Sequence, residues 1–339
     1  YIREMNLWTK LANEVVVVAP LTKGLLTNID AAYEHQNLHF EKIPSINFQS
    51  ISTIFSSIFN IPRILLKLYI EMKNVDHIHL RCPGNIGLLG CIMQIFFPSK
   101  QKSAKYAGNW DPKSQQPLSY RFQKWILSNT FVTRNMTVLV YGEWPNQTKN
   151  IKSFFTATYS ESDKTAVVAK IFEPTIKILF VGTLSIGKRP LYAVQLVHDL
   201  LKLGKSVQLK LYGEGKERAT LENYIKTNSL ENDIILMGNR GENEVRNAYK
   251  ESHFLILPSK SEGWPKVVAE AMFWKCLPIA TPISCVPYML DHGNRGVLLT
   301  MELESDIAVI EKCLNSKEDY ESKTLQAMEW SRHFTVDLF

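Results

Sequence analysis

Cysteine is scarce and unpatterned in this chain. Its five cysteines (Cys82, Cys91, Cys276, Cys285 and Cys313) are odd in number and include no C-x-x-C pair. That argues for a reducing compartment and against a zinc site. Long apolar runs are missing too. The longest, Ile86 to Phe97, contains Gln94 and falls short of the roughly 20 residues a bilayer span needs. Nothing reads as a signal peptide, and no repeat or low-complexity tract interrupts the chain. The expected setting is the cytoplasm. What remains is ordinary globular composition: 339 residues, 45% hydrophobic and 21% charged, long enough for two domains with full cores.

The net charge of +6 is uneven. Residues 1–172 hold 19 Lys/Arg against 11 Asp/Glu, while residues 173–339 hold 20 against 22. A basic first half fits anionic lipid headgroups or a phosphorylated acceptor, or it is a solvated basic surface. The basic residues form no dense run and no nucleic-acid motif is present, so nucleic acid is not an expected partner.

The second half alternates between strands and helices. Strands are predicted at Lys177–Val181, Val207–Tyr212, Asp233–Met237 and Phe254–Leu257, separated by helices at Pro190–Leu203, Glu217–Asn228 and Glu242–Lys250. Such βαβ alternation implies a parallel, Rossmann-like sheet. The first half is less regular. It predicts a helix over Tyr1–Ala12, a buried strand over Glu14–Val18, and a helical region over Ile51–Met72 interrupted at Pro62. Strands at Val75–Leu80, Lys102–Ala107 and Val138–Tyr141 and an apolar helix over Gly87–Phe97 follow. The polar stretch from Ser160 to Glu173 is the expected domain junction. Residues 61–73 put basic side chains beside an apolar stripe, which fits a helix covering the sheet or an element on a membrane surface.

Glu262 and Glu270 stand eight residues apart. Glu270 is the only charge in Val267–Trp274 and shares a helical face with Val267, Ala271 and Trp274. An unpaired buried carboxylate costs several kcal/mol, so Glu270 must snorkel, pair with a lysine, or receive strong donors. Glu262 follows the strand-like His253–Pro258 and precedes the helix that Pro265 opens, at the kind of strand end where open α/β sheets bind ligands.

This E-x7-E, with its E-A-M helix and the following Leu277-Pro-Ile-Ala-Thr-Pro282, resembles the retaining glycosyltransferases of family 4, the group 1 transferases. The resemblance implies the GT-B fold, α/β, with two Rossmann-like domains facing across a cleft. The domains would be residues 1–168 on the acceptor side and 169–318 for the nucleotide-sugar, with a helix over 319–339 crossing back. The family's first strand and Gly-rich loop would lie upstream of Tyr1.

The resemblance assigns roles residue by residue. Gly182, Thr183, Lys188 and Arg189 would meet the donor pyrophosphate, Lys188 matching the family's lysine while Thr183 replaces its arginine. Asn239 and Arg240 would read the base, although Gly238-Asn-Arg-Gly241 is also a plain turn. Glu270 would accept hydrogen bonds from both ribose hydroxyls, and Glu262 would hold the sugar with the backbone of Gly263, Trp264, Pro265, Lys266 and Val267. Trp264 either walls the sugar pocket or packs, and Pro265 removes one amide donor. Catalysis would fall to Glu262 and Lys188, by front-face substitution in which the leaving phosphate takes the acceptor proton. There is no D-x-D motif, so no metal and no cofactor are expected; a UDP- or GDP-sugar is the expected donor.

In the first half the family's usual histidine is absent from Lys105–Pro112, leaving Asn109, Trp110 and Asp111 as replacements, with Arg81 a further acceptor-side candidate. Of His77 and His79, one is expected in the core. The implied activity is sugar transfer to a glycan or lipid-linked acceptor in surface-polysaccharide or glycolipid assembly, in the cytoplasm or on the inner face of its membrane. The rivals are a GT-B epimerase-hydrolase and a non-catalytic subunit that binds nucleotide-sugar.

Overall fold

The computed structural model describes residues 2–338 apart from 22–23, 25–29, 48–49, 169 and 173. Tyr1, which begins the first predicted helix, and Glu173, which closes the predicted junction, lie outside the described residues. The chain divides into two compact units, residues 1–154 and 155–339, ahead of the polar stretch that marks the junction in sequence.

The first unit runs α1 (Ile2–Thr9), β1 (Val15–Pro20), β2 (Leu38–Ile43), α2 (Ile51–Asn74), β3 (His77–Cys82), α3 (Asn85–Met93), β4 (Gln101–Tyr106), α4 (Leu118–Ser128), β5 (Met136–Tyr141) and β6 (Ile151–Phe154). Strands β3 to β6 form a parallel sheet in chain order. Right-handed crossovers then put α3 and α4 on one face of it. β2, α4 and β6 are additions to the elements the sequence predicts. β1 is half-buried at every residue rather than fully buried, because among the described residues it pairs with β2 alone.

Pro62 does not interrupt α2, which is continuous across it. An internal proline costs about 3 kcal/mol. Ile64, Leu68 and Met72, spaced one turn apart, are buried in the unit's core and outweigh that cost.

The other face of the four-stranded sheet encloses charge, because Lys105 alternates with Ala104 and Tyr106 of that core. Lys105 and Glu4 pair at 2.6 Å with side chains only 3% and 6% exposed, and the ammonium lies over the rings of Trp8, Tyr141 and Phe154. His77 and His79 both hydrogen-bond the Ser103 hydroxyl at 2.8 Å. His79 is the one that packs inward, edge-on to Trp8 at 5.1 Å.

The second unit carries β7 (Ile176–Val181), α5 (Pro190–Lys202), β8 (Val207–Tyr212), α6 (Arg218–Thr227), β9 (Ile234–Gly238), α7 (Glu242–Glu251), β10 (Phe254–Leu257), α8 (Lys266–Phe273), β11 (Leu277–Ala280), α9 (Val286–Met289), β12 (Val297–Leu298), α10 (Leu303–Asn315) and α11 (Lys317–Ser331). Its parallel sheet has the order β12-β11-β10-β7-β8-β9. β10 and β11 are buried at every residue, as strands covered on both faces should be. The C-terminal segment belongs to this unit: α11 packs on α8, and Val336 N–H donates to Tyr159 O at 2.9 Å.

Burial, then the nearby His77, Lys105 and Arg81, push the His79 pKa down from 6.5 to about 4. A folded pKa below the unfolded one means that the unfolded chain takes up the proton first as pH falls. This stability is intact above about pH 6.5 and is lost towards about pH 4, by roughly 3 kcal/mol. The His79→Asn variant should therefore lose less of its urea midpoint than the parent between about pH 7 and about pH 5. Equal losses in the two proteins would contradict this.

Candidate nucleotide-sugar site

Counted from the second unit's own first strand, the sheet order is 3-2-1-4-5-6, and the direction of winding reverses between β7 and β10. Loops leaving adjacent strands there diverge, and a ligand can sit in the crevice they leave. The loops after β7, β8, β9 and β10 are laced by backbone hydrogen bonds. Gly182 N–H donates to Tyr212 O, Leu184 N–H to Glu214 O, and Gly213 N–H to Gly238 O, each at 2.9 Å; Lys260 N–H donates to Gly187 O at 2.8 Å. The lacing demands glycine at two places the sequence reading passed over. A Cβ on Gly213 would lie 2.0 Å from Gly182 O, and one on Gly215 2.2 Å from Leu184 O. The Tyr212-Gly-Glu-Gly215 pattern directly after a strand was the available signal.

Across the reversal, Lys188 Nζ from the loop after β7 donates to Glu262 Oε1 from the loop after β10. These side chains are 28% and 11% exposed, so the pair is screened from much of the solvent while the ammonium keeps an open side. Arg189 adopts the left-handed conformation at φ 50° and caps α5, whose first residue, Pro190, has its φ already set for a helix. Thr183 is exposed at the mouth of the loop.

Glu270 is half-buried one turn into α8. It neither snorkels free nor pairs with a lysine. Thr158 Oγ1 donates to its Oε1 at 2.6 Å and the Tyr249 hydroxyl to its Oε2 at 2.9 Å. Burial, then the Glu270 charge, holds the Tyr249 phenol well above its usual pKa, so it stays a donor. Two acceptances leave carboxylate lone pairs for further donors. Thr158 and Tyr249 carry no local motif, and Thr158 lies 112 residues from its partner.

The segment between the glutamates is rigidly packed. Gly263 O accepts from Ser284 Oγ and Cys285 Sγ, both at 3.0 Å. Trp264 is 7% exposed, stacked on Trp330 at 6.1 Å and edge-on to Phe334 at 5.6 Å; it packs. Pro265 precedes Lys266 at the start of α8, with Val267 half-buried beside them. The first amides of a helix lack intrahelical acceptors, which suits an anion. Asn239 and Arg240 are exposed after β9, where Arg240 Nε donates to Met237 O at 2.8 Å.

The candidates in the first unit are placed differently. Arg81 is exposed within β3. Trp110 is 4% exposed, edge-on to Tyr106 at 4.8 Å and covered by Lys124, so it is a core residue. Asn109 Oδ1 accepts from Asp111 N–H at 2.9 Å, and Asp111 Oδ1 from Lys113 N–H at 2.8 Å; both shape a turn. Among the described residues no group of three or more His, Cys, Asp or Glu side chains is gathered as a metal site.

Comparison with known proteins bears on the family pattern and on the fold. Residues 162–328 match the family described as glycosyl transferases group 1. An uncharacterized glycosyltransferase of Methanocaldococcus jannaschii is 28% identical over 158 residues, which is 46% of this chain and 43% of the relative; the match thus spans under half of that protein. Among solved structures, sucrose-phosphate synthase from Thermosynechococcus elongatus superposes with a TM-score of 0.73 at 14% identity, covering 99% of this chain and 88% of the other. Anabaena Alr3699/HepE, solved in complex with UDP and glucose, gives 0.69 at 14% identity, covering 96% of each. At such identities the likeness establishes the fold, which is GT-B.

If Tyr249 and Thr158 stabilise the chain by serving Glu270, Tyr249→Phe should cost roughly 1–3 kcal/mol in urea unfolding. In a Glu270→Leu background the same substitution should cost clearly less. The same cost in both backgrounds would show that the phenol acts independently of the carboxylate.

Proposed function

With residues 162–328 carrying the group 1 glycosyl transferase pattern, we propose that the protein transfers a sugar from a nucleotide-sugar to a glycan or lipid-linked acceptor. The observation that carries the reading is the Lys188–Glu262 contact at the winding reversal of the sheet, beside the start of the helix that bears Glu270. One ammonium next to one carboxylate supplies what the two parts of a donor need. Lys188, with Arg189 near it in sequence, neutralises the pyrophosphate, whose charge grows as the leaving group departs. Glu262 accepts hydrogen bonds from sugar hydroxyls. Glu270, already held by two hydroxyls, accepts from the ribose diol with its remaining lone pairs.

A single ammonium–carboxylate pair is not a pair of carboxylates flanking a glycosidic bond. It supports front-face substitution with retention, in which the departing phosphate takes the acceptor proton and no metal is needed. UDP, the nucleotide bound by the Anabaena protein, is the first donor to try, followed by GDP. The reading places the protein in surface-polysaccharide or glycolipid assembly, in the cytoplasm and peripheral to its membrane. No helix among the described residues is long and apolar enough to cross a membrane.

The test is nucleoside diphosphate release from UDP- and GDP-sugars in the presence of acceptor extracts. Lys188→Ala and Glu262→Ala should each lower turnover by about a hundredfold or more. Unchanged turnover in both variants would overturn the assignment. Binding without turnover would point to a non-catalytic subunit, and an altered free sugar formed from donor alone would point to an epimerase-hydrolase.

A further inference from the structure

The helical layer on one face of the first unit's four-stranded sheet is apolar on its outer side as well as its inner side. α3 lies between α2 and α4 and packs on both. α2 turns Ile64, Leu68 and Met72 inward. On its opposite side Phe55, Phe59 and Leu66 recur at helical spacing and are exposed, Phe59 by 81% and Leu66 by 61%. α4 repeats the arrangement. It buries Ile126 and Leu127, while Leu118, Phe122 and Trp125 face out, the last two stacked on each other at 5.8 Å. Isolated exposed apolar residues need no explanation, but sets at helical spacing on both helices that flank α3 mark a binding surface.

The charge of the same segment identifies the partner. Lys102 and Lys105 are buried in the sheet, and Lys67 pairs with Glu41 and Glu71. The face's charge therefore rests on the remaining cations, and no acidic residue occurs between Asp111 and Glu143 to oppose them. Arg63 and Lys73 are exposed on α2, Arg121 on α4 and Arg134 just beyond it. Aromatic and aliphatic side chains interleaved with cations match a surface that is anionic outside and apolar beneath. A nucleic acid would use the cations but offers Leu66 and Leu118 nothing to enter.

We infer that the outer side of the α2–α3–α4 layer docks on an anionic lipid surface, with Phe59, Leu66 and Trp125 entering the headgroup boundary and Arg63, Arg121 and Arg134 meeting phosphates. This stands on the first unit alone and does not depend on the donor reading.

The experiment is co-sedimentation of the full chain with phosphatidylcholine vesicles, with and without phosphatidylglycerol. The protein should pellet with the anionic vesicles, and binding should fall about tenfold or more on raising salt from about 0.1 M to about 0.5 M. Phe59→Ser/Leu66→Ser and Arg63→Gln/Arg121→Gln should each reduce binding to a similar extent with unchanged urea midpoints. Leu325→Ser, at an exposed leucine of α11, should leave binding as it is. Absence of pelleting, or pelleting insensitive to all of these variants, would overturn the inference. So would a dimer in sedimentation velocity that Phe59→Ser/Leu66→Ser abolishes, which would give the face to a second copy of the chain.

Discussion

Strands β7 and β10 are neighbours in the sheet, yet the chain winds away from them in opposite directions. The Lys188–Glu262 contact depends on that constraint. Had β10 continued beyond β9, the loop carrying Glu262 would leave the sheet three strands from the loop carrying Lys188. The reversal makes the two loops adjacent, and the backbone bond from Lys260 to Gly187 fixes their spacing. Gly213 and Gly215 then allow the loop after β8 to approach closely enough to brace them.

The two glutamates solve the problem of burial differently. Glu262 is neutralised by an ammonium, a partner that a pyrophosphate could share or take over. Glu270 is satisfied by two neutral hydroxyls, one from α7 and one from the segment entering the second unit. Hydroxyl donors hold a carboxylate in place without cancelling its charge, so Glu270 remains a strong acceptor for a diol. A lysine in place of Tyr249 would have fixed it as well but left it a weaker acceptor. Trp264 and Pro265, between the glutamates, are committed to packing, and that rigidity fixes the separation of the two carboxylates.

The second unit was largely legible in sequence because its strands are short apolar runs between amphipathic helices, each marked by local composition. Glu262 and Glu270 could be singled out because one follows the end of a strand and the other is the lone charge of an apolar helix. Lys188 was reached only through its match to the lysine of the family this chain resembles. The first unit was harder to read. Leu38–Ile43 mixes two charges and a histidine into a strand that its pairing with β1 stabilises, and the exposed apolar face of α4 blurs the periodicity that would reveal a helix. Pro62 looks like a break until the core contacts of Ile64, Leu68 and Met72 are set against it. Thr158 and Tyr249 were beyond reach, since only the folded chain brings residues so far apart in sequence onto one carboxylate.

The central claim is that the second unit holds a nucleotide-sugar at the strand ends where its winding reverses. Amide hydrogen exchange with and without UDP tests it most directly, because it reports location irrespective of turnover. Exchange should slow in residues 182–189, 213–217 and 259–270, and the slowing should weaken in Glu270→Ala. Protection confined to the first unit, or none with UDP or GDP, would contradict the account.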